Sequence, residues 1–222
     1  MSHVPGGLIF KRYLNAWRPA GGVAPPPPSG FLLFEGYTAA PGGVVTGAAE
    51  TKRDEFLSYC LVSAQEPYEE PTWENGFPLN SGPTVSNGNS ATVTATIMPV
   101  ITVNNAGRFN TTPAGALFAE VSSPCYPVWT FVGSVAGFGF FMTDAGDFDA
   151  VWTARVTDEN AVVTDYQINA GGEPNGNLRF WGFIDFSGLG YVSVELRCDP
   201  DISGDAVGID DVYIVNAGQV SP

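Results

Sequence analysis

Alternation of apolar and polar residues with a period of two constrains this chain more than any other feature. In YVSVELRC, Val192, Val194, Leu196 and Cys198 fall on one side, and Tyr191, Ser193, Glu195 and Arg197 on the other. In VWTARVTD the same period sets Trp152, Ala154 and Val156 against Thr153, Arg155 and Thr157, and Asp158, Glu159 and Asn160 then supply a turn. Strand side chains point alternately to opposite faces, so each segment reads as a strand with one dry face. Successive short strands closed by Gly, Asp and Asn turns pair antiparallel, and their dry faces need a second apolar layer. The pattern predicts an all-β chain, two antiparallel sheets packed as a β-sandwich.

Thr46 to Ala64 is the exception. Phe56, Leu57, Cys60 and Leu61 recur there at helical spacing behind Lys52, Arg53, Asp54 and Glu55, which predicts one short helix on the outside of the sandwich. The 27 Gly and 18 Pro among 222 residues mark frequent turns, and a hydrophobic content of 44% is enough for a folded core. Three segments follow: an extended arm over 1–30, a sandwich domain over 31–216 and a tail over 217–222.

The arm differs chemically from the rest. It holds Lys11, Arg12 and Arg18 with no acidic residue, so all 23 acidic residues of the chain lie beyond it, and it ends in the polyproline run Pro25 to Pro28. Such a run is a stiff spacer, and Leu8, Ile9, Phe10, Tyr13, Leu14 and Trp17 are too few to fold alone. One reading is a docking arm that meets a partner through Lys11, Arg12, Tyr13, Trp17 and Arg18; the other is an unstructured terminus.

Charge and inventory exclude several function classes. A net charge of -14 and a pI near 4.1 repel nucleic acid. No apolar run reaches the length of a membrane span, and no export signal is recognised at the start, so synthesis in the cytoplasm is expected. Cys60, Cys125 and Cys198 are odd in number and set among apolar neighbours, which fits reduced core thiols. The one histidine, His3, has no nucleophile near it, and no phosphate-binding glycine loop is present, so a non-enzymatic protein is expected.

Two features keep chemical readings open. DPDISGDAVGIDD places Asp199, Asp201, Ser203, Asp205 and Asp210 at the first, third, fifth, seventh and twelfth places of a calcium-loop spacing, without flanking helices. That is either a structural calcium between strands or plain Asp and Gly turn chemistry, and the same holds for Asp144, Asp147 and Asp149. Asp210 shares a face with Val212 and Ile214 in the alternation and is expected to be a buried, hydrogen-bonded anchor. Arg108, alone among turn residues, is expected in an internal ion pair. Phe138, Phe140, Phe141, Trp152, Phe180, Trp181 and Phe183 form either a sugar-stacking platform or, for the most part, core.

Taken together, GRFNTTPAG, VAGFGFFMTDAGDFDAVWTARVTDENAVVTDYQI, NGNLRFWGFIDFSGLGYVSVELRC and GIDDVYIVNAGQV resemble a jelly-roll-like β-sandwich domain. That domain is found in bacterial exported proteins with PEP-CTERM sorting tails and in phage and prophage virion proteins. The resemblance spans about residues 31 to 220. Its marks are Phe138-Gly139-Phe140, the Asp144 to Asp147 turn, Phe183-Ile184-Asp185 and the Asp210-Asp211 pair. It implies a fold and carries no catalytic residue. With neither export signal nor sorting segment recognised, the phage branch is the expectation. The chain would then be a capsid decoration protein on the particle surface, homo-oligomeric and bound to a major capsid or other virion protein. The alternative is a carbohydrate-binding module on a virion or cell surface.

Overall fold

The computed structural model describes residues 30–61, 91–94, 107–111, 118–122, 127–199 and 206–221. Ten strands and one α-helix follow in chain order. They are β1 (Phe31–Thr38), α1 (Gly47–Ser58), β2 (Ala91–Thr94), β3 (Ala119–Ser122), β4 (Val128–Val135), β5 (Gly137–Thr143), β6 (Val151–Asp158), β7 (Val163–Gln167), β8 (Leu178–Asp185), β9 (Tyr191–Asp199) and β10 (Ala206–Val215). Sheet I runs β1-β8-β5-β10-β3 and sheet II runs β2-β4-β9-β6-β7. Each strand pair is antiparallel. The expected sandwich with one outer helix is the observed architecture.

The sheets meet over a core rich in aromatic side chains. Trp129, Phe138, Phe140, Trp152, Trp181 and Phe183 all lie in the cluster between them. Phe138 sits 5.3 Å from Trp129 and 5.4 Å from Phe131 across the gap, so the two layers interdigitate. The other face of sheet I is also dry. Phe34, Phe141, Phe180, Ile184 and Tyr213 project there and are roofed by Ala49 and Phe56 of α1. This double coverage explains why β5 and β10 are buried at every position. Sheet II keeps one wet face, hence the clean alternation of β6.

Two positions on β1 fix the helix. A Cβ on Gly36 would meet the Ala48 carbonyl oxygen at 2.4 Å, so the helix backbone rests directly on the strand. Thr46 at the N-cap makes no side-chain cap bond. Its role passes to Thr38, whose hydroxyl donates to the Thr46 carbonyl at 2.8 Å and accepts from the Ala49 N–H at 3.3 Å. The helix ends at Ser58, sooner than the sequence period indicates. Leu61, expected on its apolar face, is 43% exposed. Residues 59–61 instead bond to the chain end: Leu61 N–H donates to the Gln219 carbonyl and Ser221 N–H to the Tyr59 carbonyl, both at 2.7 Å.

Bulges overturn two face assignments. On β9, Thr157 pairs Ser193 while Asp158 pairs Tyr191, so Val192 is skipped. Tyr191 therefore turns inward, 7% exposed, where alternation put it outside. On β10, Asp210 pairs Phe141 and Tyr213 pairs Gly139, leaving Asp211 and Val212 opposite one residue. Asp211 takes a left-handed φ of 46° to do so. Asp210 thus lies on the helix side with Phe141, whereas Val212 and Ile214 belong to the inter-sheet core.

Gly36→Val would push the helix off sheet I. We expect it to lower the free energy of unfolding by about 1–3 kcal/mol, read from urea denaturation; an unchanged midpoint would show that α1 does not rest on β1.

Candidate functional site

At one side of the sandwich the two edge strands β1 and β7 face each other, and the inter-sheet layer reaches solvent. Register decides what they show. Leu33, Glu35 and Tyr37 are the Cα partners of Phe183, Trp181 and Arg179, so they share the inward face of sheet I. From sheet II, Tyr166 is the partner of the inward Ala154. At one end Phe31 stacks on Tyr166 with centroids 5.3 Å apart and an interplanar angle of 11°, and closes the gap. Further along, the layers part into a cleft of about 250 Å³, bordered by Glu35, Gly36 and Tyr37 on one wall and by residues 167–170 on the other, with Arg179 at its base.

The cleft wall is held by charge and amide bonds. Arg179 donates from Nε to Glu173 at 3.1 Å, from Nη2 to the second Glu173 oxygen, and from Nη1 to the Ile168 carbonyl at 2.9 Å. This fork-to-fork pairing is the most directional ion pair available to a carboxylate. The Arg179 guanidinium also lies over the Tyr37 ring, 4.4 Å from its centroid. Glu173 in turn accepts from the Ala170 N–H at 3.1 Å, and its own N–H donates to the Gly146 carbonyl at 2.9 Å. Asn169 is consumed structurally: its Nδ2 donates to the Ala150 carbonyl at 2.7 Å, and its Oδ1 accepts from the Trp152 N–H. Gln167, the register partner of the outward Thr153, donates to the Asn169 carbonyl at 2.8 Å.

Glu35 makes no hydrogen bond or ion pair among the described residues. Burial pushes its carboxyl above the ordinary value, against the opposing pull of Arg179. Burial, with Glu173 nearby, likewise raises the Tyr37 phenol despite Arg179. Trp181, the register partner of Glu35, is 1% exposed, and its indole N–H has no hydrogen-bond partner among the described residues. The Glu35 carboxylate reaches solvent at the cleft wall, while the indole N–H of its register partner is buried.

The sequence-derived candidates fall elsewhere. Asp201, Ser203 and Asp205 of the calcium spacing, and Lys11, Arg12, Tyr13, Trp17 and Arg18 of the arm, lie outside the described residues. Asp199 is exposed at the end of β9. Asp210 is buried and accepts from Thr111, at 2.6 Å from the N–H and 2.9 Å from the hydroxyl, as an anchor should. The Thr111 hydroxyl also sits 3.0 Å from Asp211. Among the described residues no group of three or more His, Cys, Asp or Glu side chains is disposed to hold a metal. Arg108 forms the internal pair expected of it, 2.9 Å from Glu120 and 3.5 Å from Asp144. Cys60 and Cys198 are buried and form no disulfide among the described residues, and Cys125 lies outside those residues. All seven aromatics of the conjectured sugar platform are core, none more than 1% exposed.

No reading of the sequence picked out Glu35, Tyr37, Gln167 or Arg179. The available signal was a charge on an apolar face: Arg179 alternates with Trp181 and Phe183, and Glu35 sits within FLLFEGYT.

No family model matches the chain, and no curated protein matches it. Solved structures do. One is the CBM22-1 xylan-binding domain of Paenibacillus barcinonensis Xyn10C, with 13% identity, 64% of this chain and 91% of that one covered, and a TM-score of 0.35. A second is TmCBM61 in complex with β-1,4-galactotriose, with 16% identity, coverages of 68% and 98%, and a TM-score of 0.33. A third is the C-terminal family 22 carbohydrate binding module of Clostridium thermocellum Xyn10B, with 14% identity, coverages of 71% and 97%, and a TM-score of 0.32. Scores this low carry no functional weight, and what the cleft does has to be read from its own side chains.

Because folding raises the pKa of Glu35, its charged form costs stability above that pKa and nothing below the ordinary value of 4.5. Glu35→Gln should therefore raise the melting temperature at neutral pH, with the gain vanishing below pH 4.5. A gain that persists in acid would place its origin outside the carboxylate charge.

Proposed function

We propose that this chain is a non-catalytic carbohydrate-binding module and that the cleft between β1 and β7 takes the sugar. The observation that carries the reading is the set of groups left without a partner there. Glu35 offers a carboxylate and Tyr37 a phenol with its ring, at an opening the size of a small ligand. Sugars present hydroxyl donors in a ring whose C–H faces lie well on aromatic rings, and such a wall suits them. The outer face of sheet II fits less well. Its described side chains are Thr, Ser, exposed valines such as Val132 and Val163, and the surface pairs Arg155–Asp165 and Arg197–Glu195, with no aromatic ring among them.

Binding rather than hydrolysis is favoured because glycosidases use two carboxyl groups across the scissile bond. Glu173, the second carboxylate near the cleft, is committed to Arg179.

Display of this module on a virion surface, docked through residues 1–30 and joined to other copies, is the second reading. It is supported by the phage-protein resemblance and by a basic arm on an otherwise acidic chain. Deletion of residues 1–28 should then leave a folded body that no longer co-sediments with particles, and normal incorporation would contradict the docking role.

For the glycan reading, the full chain should bind at least one neutral oligosaccharide of xylose, mannose, galactose or glucose by calorimetry. Tyr37→Ala should weaken that binding by about tenfold or more, while Thr130→Ala on the outer face of sheet II leaves it unchanged. Equal binding by wild type and Tyr37→Ala would remove the cleft from the account.

A further inference from the structure

We infer that the cleft selects neutral glycans and rejects those bearing carboxylate or sulfate groups. This rests on the carbohydrate-binding reading above and adds to it the charge class of the ligand. An anionic sugar needs an uncommitted cation or a set of free N–H donors to replace the water it loses. Among the described residues Arg179 is the one cation lining the cleft, and its charge is already paired with Glu173. All three of its nitrogens bond to Glu173 or to the Ile168 carbonyl, and the plane of the guanidinium is covered by Tyr37.

Glu173 cannot swing away to release it. Its side chain also holds the Ala170 N–H, and its own N–H is tied to the Gly146 carbonyl. Gly171 behind it packs so closely that a Cβ would meet the Asp149 carbonyl at 2.9 Å. Asn169 Nδ2 and Gln167 Nε2 each donate to a backbone carbonyl.

What remains is rich in acceptors and negative. The Glu35 carboxylate accepts, and the Tyr37 hydroxyl can donate or accept. A ligand fits by bringing donors, as sugar hydroxyls do. A uronic acid or sulfate brings acceptors and a like charge instead, next to the Glu35 carboxylate. The net charge of -14 on the chain adds a long-range repulsion of the same sign.

The test uses the full chain and two probe sets in calorimetry at neutral pH: neutral xylo-, manno- and galacto-oligosaccharides, and oligogalacturonate with its fully methyl-esterified form. The expected result is binding of a neutral probe, and of the ester ahead of the free acid by about tenfold or more. Glu35→Gln, which removes the charge and supplies an amide donor at unchanged size, should narrow the gap between ester and acid to about threefold or less. Binding of the free acid as tightly as the neutral probes would overturn the charge selection while leaving the glycan-binding reading intact. A gap between ester and acid that Glu35→Gln leaves unchanged would also overturn it. Failure of every probe, neutral and anionic alike, would overturn the reading on which it rests. Melting curves for Glu35→Gln establish that the variant is folded in each case.

Discussion

Sheet I has no wet face, and the rest of the molecule is arranged around that constraint. Its inner side meets sheet II through Phe138, Phe140, Trp181 and Phe183, and its outer side carries Phe34, Phe141, Phe180 and Tyr213. A sheet apolar on both sides must be covered on both. Sheet II covers one side, and α1, seated on Gly36 and capped by Thr38, covers the other. The lateral edge at β1 is where the inward-facing positions of this sheet reach water. There the alternation carries Glu35, Tyr37 and Arg179 in place of apolar residues. The cleft is therefore the margin of the core, built with polar groups at positions that elsewhere hold rings.

Fold class was legible because the period-two pattern is a direct image of strand geometry. VWTARVTD reads correctly at each position, and the Lys52 to Leu57 stretch marks the one helix. Register was not legible. A bulge inverts the face of everything beyond it, and neither Val192 nor Asp211 announces itself in sequence. Tyr191 and Asp210 were consequently assigned to the wrong faces, though the inference that Asp210 must be buried and bonded survives the error.

The cleft was illegible for another reason. Alternation says which residues share a face, while nothing local says that β1 and β7, over 120 residues apart, are edge strands on the same side. A charge among apolar residues, as at Arg179, marks the position without naming its partner Glu173 or the ring of Tyr37. Attention to carboxylate spacing led instead to the loop before β10, and attention to aromatics led into the core. Which polar groups at the cleft have bonds left over is a property that only the assembled hydrogen-bond pattern reveals.

The central claim is one of location: a sugar occupies the margin of the core between β1 and β7. NMR amide shifts of the labelled full chain, titrated with neutral xylo-, manno- and galacto-oligosaccharides, address it most directly. The account predicts saturable shifts confined to the amides of Glu35 to Tyr37, Gln167 to Ala170 and Arg179, together with the Trp181 indole. Shifts gathered instead on the outer face of sheet II, around Thr130, Thr153 and Ser193, would contradict it.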